Sequence, residues 1–184
     1  MSGLWKRLGV FQILCDWVRE GRDIPIIGSG GNRYQLLHVD DLVQITGVVA
    51  QAEAALADGT FNVGAAVFGT MREDLQELLD YAAHGGRVRP VPAGLVIPAL
   101  RALEFLHLSP LYEWVYETAD KEHYVSLDKL RQRFNWQPRK GSAAVWIDTY
   151  RWYVEEFAGL AVTTGTGHRI AWKQRVLGLV KRFF

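Results

Sequence analysis

Apolar residues recur at helical spacing near the front of the chain. Val10, Phe11, Leu14, Trp17 and Val18 predict a helix over residues 8–20, with Gly21 as a natural stop. The short apolar run Ile24 to Ile27 predicts a strand ended by Gly28. Arg33 to Val39 reads as a second strand, so the glycine cluster between them predicts a hairpin-type turn. Asp40 or Asp41 is expected to cap a helix running to about Ala57. Its inward positions would be Leu42, Val43, Ile45, Val49 and Ala52, with Asp58-Gly59 as the stop. Thr60 to Val63 predicts a further strand, closed by Gly64.

Downstream, Thr70-Met71-Arg72-Glu73 has the form of a capping box. The threonine oxygen takes one orphan N–H and Glu73 reaches back for another. The helix it opens shows Leu75, Leu78, Leu79 and Ala82 and stops near Gly85, and Arg87 to Val91 reads as a strand. Residues 95–107 read as helix, with Pro98 marking the start of the regular part. Tyr124 to Leu127 is expected to be extended. A helix carrying Leu127, Leu130 and Phe134 ends before Pro138. Ser142 is expected to cap a last core helix, with Trp146, Tyr150, Tyr153, Val154 and Phe157 on one face. Short strands alternating with helices point to an α/β fold. Three or four short strands need a partner surface to be covered.

The 184 residues suit one domain with a real core, and 49% hydrophobic against 22% charged residues is ordinary for a globular chain. No apolar run reaches the roughly 18 residues of a membrane span. The start, Met1 to Arg7, lacks the apolar core of a signal peptide. The single cysteine, Cys15, sits in an apolar helical pattern and reads as a small core residue rather than a nucleophile, so a cytoplasmic location is the expectation. The net charge of +1 is uneven. Residues 158–184 carry five basic residues and no acid, which leaves −4 on residues 1–157. The chain therefore divides into a body over 1–157, a threonine/glycine linker over 158–167 and a basic tail over 168–184. On a helical wheel Ile170, Val176, Leu177, Val180 and Phe184 of the tail form one stripe flanked by bases. That pattern suits weak contact with an anionic membrane surface, at the inner face, or a helix docked on the complementary half of the fold that this chain lacks, with its bases solvated.

Three runs stand in order: Gly28-Ser29-Gly30-Gly31-Asn32-Arg33-Tyr34-Gln35-Leu36-Leu37-His38-Val39-Asp40-Asp41-Leu42, then Phe61-Asn62-Val63-Gly64, then Phe134-Asn135-Trp136-Gln137-Pro138. Together they resemble the C-terminal, substrate-binding half of extended short-chain dehydrogenases/reductases, the NAD-dependent epimerase/dehydratase family. The resemblance covers about residues 8 to 157. It implies part of a Rossmann-type fold and, in a complete relative, NAD(P) and the oxidation or reduction of a carbinol or carbonyl. The family's Tyr-x-x-x-Lys pair lowers a phenol's pKa for acid/base work. Here the seven tyrosines are followed four places on by His38, Gly85, Tyr116, Asp120, Asp128, Val154 and Phe157, never by lysine. The glycine cluster has Arg33 where a dinucleotide fingerprint needs its third glycine, and it leads into a strand rather than a helix. No catalytic or cofactor-binding residue is therefore assigned, and the chain alone is expected to be inactive. Its expected partners are a complementary nucleotide-binding chain or a second copy. The rival is a non-enzymatic docking module.

The resemblance also implies substrate contacts at Arg33, Tyr34, His38 and Asn62. Alignment without a gap puts Tyr34 where the family has a phosphate-binding arginine and Arg33 one residue early, facing the other way on a strand. A second phosphate-binding arginine is replaced by Glu117 in Glu117-Thr118-Ala119-Asp120, which argues against a nucleotide-sugar substrate. Tyr34 either lines a pocket or packs under a helix. His38 either meets substrate or bonds to backbone. Asn62 would tie loop backbone together, and Asp41 reads as a helix N-terminal group. Five scattered histidines give no metal spacing, and seven tryptophans without interleaved bases give no nucleic-acid platform. The small-molecule substrate itself is not legible.

Overall fold

The computed structural model describes residues 10–105 and 113–157. The chain opens with helix α1 (Val10–Arg19) and strand β1 (Ile24–Ile27). It continues through α2 (Val39–Gln51), α3 (Ala54–Ala57) and α4 (Met71–Ala82) to strand β2 (Val88–Val91). Helices α5 (Ala93–Phe105), α6 (Glu113–Thr118), α7 (Asp128–Phe134) and α8 (Ser142–Trp152) follow, and a π-helical turn spans Tyr153–Phe157. β1 and β2 pair in parallel, Ile24 opposite Val88 and Ile27 opposite Val91. A parallel pair requires a crossover, which α2 to α4 supply. The α/β class holds, with two strands rather than three or four among the described residues.

One core gathers the inward faces of α1, α4 and α8 on this sheet: Cys15, Val18, Ile26, Leu78, Val88 and Tyr150 all belong to it. Cys15 is the core residue its context suggests, and burial, with Asp16 beside it, pushes its thiol up to about 12. A second core joins Ile45 of α2, Leu130 of α7 and Trp136, with Phe61 and Val63 packed against them. Thr70 and Glu73 form the expected capping box on α4.

Several expected elements do not form as read. Arg33 to Val39 is not a strand. Arg33 bridges Thr70, Tyr34 bridges His123, and α2 begins at Val39. Each residue finds a different loop as partner, so no ladder propagates and the glycine cluster is not a hairpin turn. Gly28 and Gly30 have φ of 83° and 72° and turn the chain off the end of β1. Thr60 to Val63 is likewise not a strand, because its backbone pairs with no other backbone among the described residues. The helix expected to reach Ala57 breaks after Gln51, and Arg133 caps the short α3 by donating to the carbonyls of Ala55 and Leu56. Leu42 and Val43 point to solvent instead of inward, Val43 with 66% of its surface exposed. Pro98 lies inside α5 rather than at its start, because Gly94, whose carbonyl it cannot pair, is exposed. Ser142 is the first residue of α8 and Gly141 its N-cap, since the Ser142 hydroxyl is used elsewhere. Val154 is exposed, because the π turn brings Tyr153 to donate to Asp16 at 2.6 Å instead. Tyr124 to Leu127, expected only to be extended, joins no sheet, and its Val125 amide donates to the Gln35 side chain.

Candidate functional site

The stretch after the glycine turn is extended because it is held at nearly every residue. Asn32 donates through its side chain to the carbonyls of Ala119 and Lys121 at 3.2 and 3.0 Å. The amide of His123 donates to the Arg33 carbonyl at 2.9 Å, and the amide of Gln35 returns a bond to the His123 carbonyl at 2.8 Å. The Leu36 amide donates to the buried Ser142 hydroxyl at 3.0 Å. These bonds fix the stretch against the loop 122–125, and an open groove of about 330 Å³ lies between them. Gln35, Val63, Glu122, His123, Tyr124 and Val125 line it.

Gln35 shapes this groove. Its amide nitrogen donates to the Ala65 carbonyl at 2.7 Å, and its amide oxygen accepts from the Val125 amide at 2.8 Å. Gly64 lies directly against that amide, where a Cβ would come within 2.5 Å of the Gln35 carboxamide carbon. Beside the groove, the Arg33 guanidinium rests 4.5 Å from the Phe68 ring centre and 5.3 Å from that of Tyr124. Among the described residues no carboxylate pairs with Arg33. A guanidinium steadied by two rings keeps its planar donor fork free for a carboxylate or phosphate edge.

Tyr34 stacks edge-on against His123 with ring centres 5.5 Å apart. Arg33 thus meets Tyr124 and Phe68, and Tyr34 meets His123, so both reach the loop 123–124. Asn62 is exposed and makes no hydrogen bond among the described residues, so it does not tie the loop together. It adjoins Val63 at the groove. His38 belongs to a different network. Its Nδ1 accepts from the Asp40 amide at 3.1 Å and so caps α2, and its Nε2 lies 3.3 Å from Asp148. Asp148 also holds Lys140 and Arg151, and these cations keep its carboxyl below the usual range against the opposing effect of burial, the largest single influence on it. Asp41 does not cap α2. It is buried, and its two oxygens accept from the amides of Arg139 and Lys140, each at 3.0 Å. Glu117, which the resemblance sets where the family has a phosphate-binding arginine, is engaged by Arg101 of α5, whose hydrogen bond holds its carboxyl below the usual range.

Sequence reasoning missed Gln35, Phe68, His123 and Tyr124. The two aromatics at 68 and 124 stand in loops with no periodicity to mark them. Only their convergence on Arg33 gives them a role.

The turn at Gly28 to Gly31 opens onto extended backbone and not a helix N-terminus. A side chain at Gly30 would run into Ile26 and Arg72, so this turn is filled by packing and does not fit a dinucleotide pyrophosphate. Among the described residues no cluster of metal-ligating side chains occurs, and no helix is long and apolar enough to cross a membrane. The domain division at 158–167 and the basic tail over 168–184 lie outside the described residues.

No family model matches the chain. It is 36% identical over 176 residues to the uncharacterized protein y4nG of Sinorhizobium fredii, a match that takes in 96% of this chain and 44% of that protein. In three dimensions it is similar to dTDP-glucose 4,6-dehydratase from Bacillus anthracis, solved in complex with NAD. The TM-score is 0.53 at 17% identity, over 84% of this chain and 42% of that one. The chain thus spans less than half the length of either protein. The likeness shows the fold: an α/β chain built like part of a Rossmann-type dehydratase.

Proposed function

We propose that this chain is the substrate-binding portion of an NAD(P)-dependent epimerase/dehydratase-like or reductase-like protein, and that it works only against a complementary nucleotide-binding half. One observation carries this reading: an apolar seam left open on one side. Val39, Leu42 and Val43 of α2 are exposed. Beside α2, the backbone groups of Phe61, Asn62 and Val63 take no hydrogen-bond partner among the described residues, although Phe61 and Val63 pack inward. An unpaired extended edge next to an exposed apolar helix face is a template for a further strand and helix. The groove beside Arg33 opens next to this seam through Val63. On this reading Arg33, Tyr34 and Asn62 contact substrate, while His38 supports the site by capping α2.

The natural complement is the part of the Sinorhizobium relative that this chain does not cover. Co-expressed and passed through size-exclusion with light scattering, the two are expected to co-elute and to bind NADH in a calorimetric titration. The chain alone is expected to give no saturable heat. Stoichiometric NADH binding by the chain alone would overturn the proposal, and so would a clean monomer at micromolar concentration that ignores the complement. Co-elution without nucleotide binding would establish the docking-module reading instead.

A further inference from the structure

The stretch from Asn32 to Gln35 and the loop 121–125 run side by side, and their register brings a base and an acid together. The parallel bridge of Tyr34 to His123 sets Glu122 level with Arg33, one strand spacing or about 5 Å away. Opposite charges so placed ordinarily pair. These do not: among the described residues neither side chain has an ion-pair partner. The Arg33 guanidinium is drawn instead onto Phe68 and Tyr124, whose rings lie against each other with centres 5.7 Å apart. Glu122 and Tyr124 both line the groove, so a guanidinium and a carboxylate flank it unpaired. No lysine or arginine lines the groove, and the next base along the loop, Lys121, is paired with Asp120 at 3.0 Å. Val63 and Val125 supply its apolar wall.

We propose that this groove takes an amino-carboxylate. The ligand, or the end of a larger substrate, sets a carboxylate on Arg33 and an ammonium on Glu122, with a short aliphatic spacer against Val63 and Val125. Calling it a substrate class rests on the function proposed above, whereas the binding itself does not. Each feature of the groove selects one part of the ligand. A guanidinium laid on aromatic rings presents its edge, and that edge matches the two oxygens of a planar carboxylate. Phosphate matches the edge as well, and charge decides between the two. One base and one acid leave the groove neutral. A phosphate dianion would meet Glu122 with a single cation to hold it, while a zwitterion satisfies both groups. An ionised Glu122 offers only acceptors, so it calls for a donor, and a cationic donor makes the stronger bond. Gln35 takes neither role, since its amide nitrogen donates to the Ala65 carbonyl and its oxygen accepts from the Val125 amide.

The test is an NMR titration of the isotope-labelled full chain with β-alanine, γ-aminobutyrate and ε-aminohexanoate. Butyrate and butylamine each lack one charge, and inorganic phosphate is the alternative anion. The side-chain amide of Gln35 and the backbone amides of His123 and Val125 report on the groove. At least one of the three amino acids is expected to bind saturably, in the millimolar range that suits so small a ligand. It should bind about fivefold tighter than butyrate or butylamine, the most that an exposed ion pair usually contributes. Arg33→Gln should lower its affinity to that of butylamine, and Glu122→Gln to that of butyrate. Arg33→Lys keeps the charge but loses the stacked fork and should weaken binding severalfold. Both positions are exposed, and unchanged shifts elsewhere in the spectrum show that the variants fold. The proposal is overturned if phosphate binds more tightly than every amino acid of the series, or if butyrate binds as well as the best of them. It is overturned equally if none of them shifts the groove amides saturably, or if the variants bind as the native chain does. Neither nucleotide nor complementary half enters this titration, so its failure leaves the co-elution test above untouched, and failure there leaves this binding untouched.

Discussion

Asp41 offers the sharpest stability test, because one buried carboxylate joins the start of α2 to the loop before α8. Both oxygens accept backbone amides, from Arg139 and Lys140 at 3.0 Å, and the residue is 3% exposed. A hydrogen bond to a charged group contributes about 1.5–3 kcal/mol, and an orphaned buried amide costs about 1–3 kcal/mol. Asp41→Ala removes both bonds and strands two donors. Counting each bond once, without adding the desolvation of the same amides, gives about 3–6 kcal/mol. Asp41→Asn keeps one acceptor but turns an NH₂ toward the second amide, so about 2 kcal/mol is expected. Against a typical domain stability of about 5–15 kcal/mol, the alanine variant stands near the edge of folding. Urea titration of the full chain checks this, followed by tryptophan fluorescence, because Trp136 lies in the core that Ile45 of α2 helps form. A loss below about 1 kcal/mol for Asp41→Ala would refute the reasoning, since a mere helix-dipole role accounts for about that much. Equal losses for the two variants would also refute it.

Gly64→Ala is expected to cost about 1–3 kcal/mol by displacing the Gln35 amide and its two bonds. Combining it with Gln35→Ala should cost little more than Gln35→Ala alone in a denaturation cycle, and strict additivity would sink the idea. Asp74 is pushed up to about 6, chiefly by burial, with Glu77 and Glu73 adding and the Gly69 amide opposing. An acid raised in the folded state weakens the fold as pH rises from about 4 through 6. Asp74→Asn, which still accepts from Gly69, should therefore gain about 1 kcal/mol at pH 7.5 after allowance for solvent screening, and should flatten the profile over that window. Melting curves at several pH values that stay parallel for the two proteins would refute it. Cys15, buried and with its thiol pushed up to about 12, should react with a thiol reagent only after denaturation. Rapid labelling of the folded chain would show the α1 core to be open.

Helices were legible wherever one face meets a core. The capping box at Thr70 and the stripe Leu75, Leu78 and Leu79 on α4 are local signals and survive folding unchanged. Strands were legible only where two of them meet. Ile24 to Ile27 and Val88 to Val91 pair with each other, whereas Arg33 to Val39 and Thr60 to Val63 have strand-like sequence and no ladder. Propensity marks a segment as fit for a sheet, and only a neighbour makes it one. The burial of Leu42 and Val43 was misjudged for the same reason: the pattern describes a helix apolar on two sides, and the described structure covers one. Polar residues were the least legible. Asp41 and Ser142 look like helix caps from their neighbours in sequence, yet their acceptor atoms serve Arg139, Lys140 and Leu36 from far along the chain. For the candidate site, Arg33 and Tyr34 stood out through the resemblance, but the rings that orient them lie in loops whose sequence carries no period.

The extended stretch from Asn32 to Leu36 has a consequence for how the molecule assembles. Beside nearer bonds to Ala65 and Met71, it is held by Lys121, His123 and Ser142, and the two side-chain bonds at its ends join residues 89 and 106 positions apart. The distant bonds cannot form until the loops that carry them have arrived, so each bears a closure entropy before it contributes. Long-range contacts of this kind slow folding. The groove beside Arg33 should therefore acquire protection from hydrogen exchange late, after α4 has closed on β1. The region that carries the candidate chemistry is then also the region that any lapse in stability opens first.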